Sequence, residues 1–166
     1  MKRKFLIIAT ITCIFFTACQ NTTDNETNAS DGIDSVDSID QTTVTDIPYQ
    51  LAENYFVKNT VKKPDNPKIE TQEKFNEVFG MATTMGKSGK PTDIDFTKQY
   101  VIAVILPETD INTTVDPLSL QKNGKGEMTL TFKITARKKQ TFTTVPNFAI
   151  IVDKAENGNL KLKEIK

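Results

Sequence analysis

An α+β domain, built on an antiparallel β-sheet or partly closed barrel of about five to six strands packed with one short helix, is predicted by three features of the sequence. Met128, Leu130, Phe132 and Ile134 alternate with Thr129, Thr131, Lys133 and Thr135, the period of two that puts one strand face in a core and the other in water. Residues 99–106 (QYVIAVIL) form a continuous apolar run, as expected of a central strand covered on both faces, and 147–154 (NFAIIVDK) read as a further apolar strand. Residues 71–80 (TQEKFNEVFG) carry the one convincing helical stripe of the mature chain.

The chain opens with Lys2, Arg3 and Lys4 ahead of an apolar run at 5–16 that Thr10 and Thr12 interrupt. Crossing a bilayer as a helix takes roughly 20 apolar residues, so residues 1–18 read as a secretory signal peptide. Phe16, Thr17, Ala18 and Cys19 resemble the bacterial lipobox, which makes Cys19 the expected lipidation site and the mature N-terminus. Two or three acyl chains on one residue hold a protein almost permanently on a membrane. Gln20, where an Asp would signal inner-membrane retention, points to the outer membrane.

Once Cys13 leaves with the signal and Cys19 carries lipid, the mature chain keeps no free thiol, and it contains no His and no Trp. Thiol nucleophiles, imidazole bases and zinc sites of the His/Cys kind are thereby excluded. No metal and no cofactor is expected.

Residues 19–50 hold seven acids (Asp24, Glu26, Asp31, Asp34, Asp37, Asp40 and Asp46) and no base. With little bulky apolar surface to offset the entropy of ordering, this segment reads as a disordered acidic tether. Asp31, Asp34, Asp37 and Asp40 recur every three residues, which does not supply the alternate-position oxygens of a calcium loop. Three of the 21 basic residues and seven of the 21 acids precede residue 51, leaving the globular part, 51–166, with a net charge of +4.

Within that domain NYFVKN reads as a strand ended by KKPDNP, which cannot continue a sheet. Thr71 is the expected N-cap of the helix, Phe75, Val78 and Phe79 its buried stripe, and Gly80 its C-terminal stop. After the strand at 99–106, TVDPLSLQK leads through Asn123-Gly124-Lys125-Gly126 into the alternating strand. The apolar strand at 147–154 is turned by Asn157-Gly158-Asn159 into LKLKEI, as a hairpin would be.

The Gly86-Lys87-Ser88 triplet raises the question of nucleotide binding. A phosphate loop needs glycine five residues before that Gly-Lys, and Met81 stands there. A helix precedes and Gly89 and Pro91 follow, the reverse of the required context, so 80–91 reads as a glycine-rich surface loop with no nucleotide. Ser88 beside Lys87 or Lys90 is a serine–lysine pair without rigid geometry. Asp93 and Asp95 alternate and could share one face as a carboxylate pair, although a solvated strand entry accounts for them. Arg137, the sole arginine after the signal peptide, stands with Lys138 and Lys139. Arg clamps carboxylates bidentately, so these three are the candidate contact to an acidic partner, with a charged hairpin turn as the ordinary explanation. A domain of +4 lacks the basic field and aromatic platforms of nucleic-acid binding.

YFVKNTV, IETQEKFNEVFG, IDFTKQYVIAVI, MTLTFKITAR and TTVPNFAIIVDK together resemble the protease complex subunit PrcB family of bacterial lipoproteins, across roughly residues 53–154. The shared features are a helix ending in Phe-Gly, an Ile-Asp-Phe entry to an apolar strand, and Thr144-Val145-Pro146 before the last apolar strand. PETDINTTV stands where that family carries a Gly-Gly-aromatic element. The resemblance implies a non-enzymatic, membrane-anchored adaptor with a protein partner, as accessory subunit of a surface protease complex. The alternative is a structural or envelope-maintenance lipoprotein without a specific ligand.

Overall fold

The structure, a computed structural model, describes residues 43–59, 61, 66–83 and 89–165. The signal peptide, Cys19 and the tether up to residue 42 lie outside the described residues, as do Gly86, Lys87 and Ser88.

Ten strands and one helix follow in order: β1 (Val44–Asp46), β2 (Gln50–Leu51), β3 (Tyr55–Val57), β4 (Lys68–Ile69), α1 (Gln72–Val78), β5 (Phe79–Met81), β6 (Gln99–Ile105), β7 (Thr109–Asn123), β8 (Glu127–Thr144), β9 (Asn147–Asp153) and β10 (Asn159–Ile165). They form one four-stranded sheet in the order β1-β7-β8-β10, a second in the order β2-β9-β6-β4, and the two-stranded ribbon β3-β5. The fold is α+β and mostly strand, and none of the sheets closes into a barrel.

The two long apolar runs are β6 and β9, paired antiparallel from Gln99↔Asp153 to Ile105↔Asn147. Their side chains alternate between two cores. Tyr100, Ile102, Val104, Phe148, Ile150 and Val152 meet Met128, Leu130 and Phe132 of β8 and Val115 and Leu120 of β7. Val101, Ala103, Ile105, Ala149 and Ile151 meet Ile69, Phe75, Val78 and Phe79 on the other side. The second sheet is thus the middle of three layers, which is why its central strands show no polar alternation. Fully burying each large aliphatic residue here contributes about 1.5–3 kcal/mol.

The central strands of sheets one and two are a single pair of strands folded on itself. β6 continues into β7 through Leu106 to Glu108 and β8 into β9 through Val145-Pro146, with Leu106 N–H donating to the Pro146 carbonyl at 2.9 Å. The β7–β8 register slips three times on the way. Asp110 faces four residues of β8, 140–143; Asn112 faces two, Arg137 and Lys138; and Leu118 is the extra residue of β7. Each such bulge bends and twists its strand, and together they bring β7 and β8 back over β6 and β9.

Several expectations change. The described fold already includes β1, ahead of the expected boundary at Leu51: Ile47 is 4% exposed in the first core and its N–H donates to the Leu120 carbonyl at 2.8 Å. The acidic, threonine-rich run before it masks this anchor, which Tyr49 reinforces against the same core. The strand count exceeds six because TVDPLSLQK belongs to β7, where Pro117 is accommodated beside the bulge at Leu118, and because short strands β1, β2, β4 and β5 escape pattern reading. Helix α1 starts as expected, with Thr71 Oγ1 accepting from Lys74 N–H at 3.3 Å. It ends without the glycine stop: Phe79 is already extended and Gly80 lies inside β5. Gly80 is paired with Phe56, whose ring would sit 2.5 Å from any Cβ there. Finally, β10 is not the hairpin partner of β9. It crosses to the first sheet and pairs parallel with β8 from Asn159↔Glu127 to Ile165↔Lys133.

Candidate functional site

The expected basic triplet lies in the middle of β8, not in a turn, because Asn123-Gly124-Lys125-Gly126 supplies the reversal and β8 runs unbroken to Thr144. All three side chains are exposed. Lys139 Nζ pairs with Asp110 Oδ2 at 2.8 Å. Arg137 and Lys138, held side by side by the bulge opposite Asn112, have no carboxylate partner among the described residues. Lys133, across from Asp116 in the register, likewise makes no ion pair there.

β8 has two neighbours in its sheet. β7 flanks it throughout, whereas β10 covers only Glu127 to Lys133. From Ile134 onward the β10 side of the strand has no hydrogen-bonded neighbour among the described residues. Backbone N–H and C=O groups along such an edge are a template for a further strand.

Beyond this edge, the wide bulge at 140–143 lifts Phe142 to 61% exposure. Its neck is closed by the Lys139–Asp110 pair, by Gln140 Nε2 donating to Thr144 Oγ1 at 3.5 Å, and by the Thr143 hydroxyl donating to the Glu108 carboxylate. Thr143 also borders a shallow groove of about 310 Å³ with Phe56, Val57, Glu108 and Val145. A neighbouring groove of about 300 Å³ shares Val57, Glu108 and Val145 and is completed by Val61, Leu106 and Pro107. Phe56, 48% exposed, stands at the margin. Sequence reasoning missed Phe142, Glu108 and Phe56; the one available signal was an aromatic residue isolated in the polar run KKQTFTT.

The other candidates are dispersed. Asp93 pairs with Lys90 at 2.7 Å, and that contact raises the Lys90 pKa. Asp95 caps a turn: its Oδ1 accepts from Thr97 N–H at 3.0 Å and from the Thr97 hydroxyl at 2.5 Å, which lowers its carboxyl pKa. Each carboxylate therefore has its own local partner, Lys90 for Asp93 and Thr97 for Asp95. Ser88 and Lys87 lie outside the described residues. No group of three or more His, Cys, Asp or Glu among the described residues could hold a metal ion. No described helix is long and apolar enough to cross a membrane, a statement that does not extend to β-barrels.

The class defined is a three-layered α+β domain in which the basic residues Arg137 to Lys139 and the exposed Phe142 lie along the bulged part of one long hairpin. No family model matches the chain, and neither a curated protein nor a solved structure matches it.

Proposed function

We propose that the protein is an outer-membrane lipoprotein, anchored through lipid on Cys19, whose domain is a non-catalytic adaptor that docks a protein partner. The PrcB resemblance makes the partner a surface protease, with this chain as accessory subunit. The anchor rests on the lipobox-like Phe16-Thr17-Ala18-Cys19, and the absence of enzymatic function on a mature chain without His or free Cys. The observation that carries the docking role is the open edge of β8 with Arg137 and Lys138 beside it, since main-chain edges and unpaired guanidinium groups both favour protein contacts.

The test is purification of the mature protein from detergent-solubilised envelopes, with wild type compared against the Arg137→Glu/Lys138→Glu variant. A protease recovered in stoichiometric amount with wild type and depleted with the variant is the expected result. An eluate lacking any stoichiometric partner would instead favour the structural lipoprotein.

A further inference from the structure

We propose that the open edge of β8 at residues 134–139 binds an extended acidic peptide, which adds to the first sheet as a strand in line with β10. This deepens the adaptor reading and rests on it. Two independent observations meet at the site. The first is geometric: β10 occupies the same side of β8 up to the pairing Ile165↔Lys133, and among the described residues nothing pairs with that side of β8 beyond it, where the small bulge at Arg137 and Lys138 adds local twist. Six residues at about 3.3 Å each give a slot of about 20 Å, long enough for a short recognition segment. The bulge at 140–143 ends it.

The second observation is electrostatic. Lys133, Arg137 and Lys138 border the slot without carboxylate partners among the described residues. Lys133 and Arg137 belong to the outward face that includes Thr129, Thr131 and Thr135, while Ile134 packs against the first core from the opposite face. A strand lying beside β8 places its own side chains on the same two faces. Acidic residues at alternate positions would therefore meet the cations outside, and small or β-branched residues between them would lie near Ile134 and Ala136. Charge complementarity selects such a peptide over a basic or neutral one.

Cations on an edge also discourage other strands from pairing, and the experiment separates the two roles. The probe is an eight-residue synthetic peptide alternating Glu with Val or Thr and capped at both ends. It is titrated by fluorescence anisotropy into the full mature protein in detergent micelles. Two further versions carry N-methyl groups at alternate amides, one on each edge of the peptide strand.

The expected result is binding that weakens with salt, falls about tenfold or more in Lys133→Glu/Arg137→Glu, and is lost in one N-methylated version but not the other. No binding at low ionic strength would assign the cations to edge protection and overturn the proposal. Equal binding of all three peptides would reduce it to charge adsorption and overturn strand addition. Self-association of the unliganded protein that the peptide does not displace would put a second copy in the slot, with the same consequence. A partner recovered from envelopes despite failure of the peptide leaves the adaptor reading standing and removes only this site.

Discussion

Gly158 sits where the chain passes from β9 to β10, and a Cβ there would lie 2.4 Å from the Gly126 carbonyl oxygen and 2.8 Å from Met128 Cγ. The nearest atom belongs to the backbone of the β7–β8 turn, itself fixed by Gly126 at φ +77°, so it has no rotamer by which to retreat. Asn159 N–H donates to that same carbonyl at 3.2 Å and starts the parallel pairing of β10. Gly158→Ala is expected to cost about 1–3 kcal/mol through overpacking, read as a lower urea midpoint with unchanged slope. Gly80→Ala should cost less, because the obstacle is the half-exposed ring of Phe56, which can swing outward. Tyr100 offers a second test. It is 2% exposed and donates its hydroxyl to the Glu156 carbonyl at 2.7 Å. Burial, with a smaller contribution from Glu156, pushes its pKa up from 10.0 to about 12. Between those values the unfolded chain loses the phenolic proton while the folded one keeps it, so stability falls as pH rises through that window and is unaffected by this group below it. Tyr100→Phe should abolish that component of the alkaline fall. At neutral pH it should cost about 1 kcal/mol for the lost hydrogen bond, and chemical denaturation at pH 8 and pH 11 compares the two.

At the scale of elements, the sequence was most readable where one physical requirement dominated. Alternation placed β8, unbroken hydrophobicity placed β6 and β9, and Thr71 with Phe75 and Val78 placed α1. Position was less legible where the requirement came from another part of the chain. Pro117 argues locally against a strand, and only the bulge at Leu118 makes its place in β7 tolerable. Leu160 and Leu162 alternate equally well for either partner, and the parallel pairing of β10 with β8 starts where Gly158 packs against Gly126 and Asn159 N–H donates to its carbonyl. The basic triplet was visible as a possible contact, but its position along an open edge depends on where β10 stops. The N-terminal boundary shows the same limit, since Ile47 and Tyr49 stand in a short stretch after a long acidic, threonine-rich run, yet Ile47 fills the first core with Leu120 and Tyr49 packs against it. A version of the domain beginning at Leu51 loses Ile47, β1 and half of β2. It should be about 2–5 kcal/mol less stable than one beginning at residue 43, in the range of large core truncations. Equal melting of the two would mean that β1 adds nothing to the fold.

For the whole molecule, the proposed anchor and the described cores draw on different stretches of the sequence. Among the described residues, both hydrophobic cores are built from residue 47 onward, and Cys19 lies well upstream of them in sequence. An acyl anchor contributes free energy per buried methylene in the bilayer, a quantity independent of how β6 and β9 pack. Cys19→Ser should therefore remove lipid attachment and shift the protein from the detergent-dependent to the soluble envelope fraction. Its thermal midpoint should match that of wild type within about 1 °C, since surface changes remote from a core stay within about 0.5 kcal/mol. Metabolic labelling with a palmitate analogue reads the first half of this prediction and calorimetry of the released protein the second. An unlabelled wild type would remove the anchor, and a variant without a cooperative transition would show that lipid and fold are coupled. If both halves hold, the β8 edge works as a module carried at the membrane, and its affinity for an acidic strand can be measured without the bilayer contributing to it.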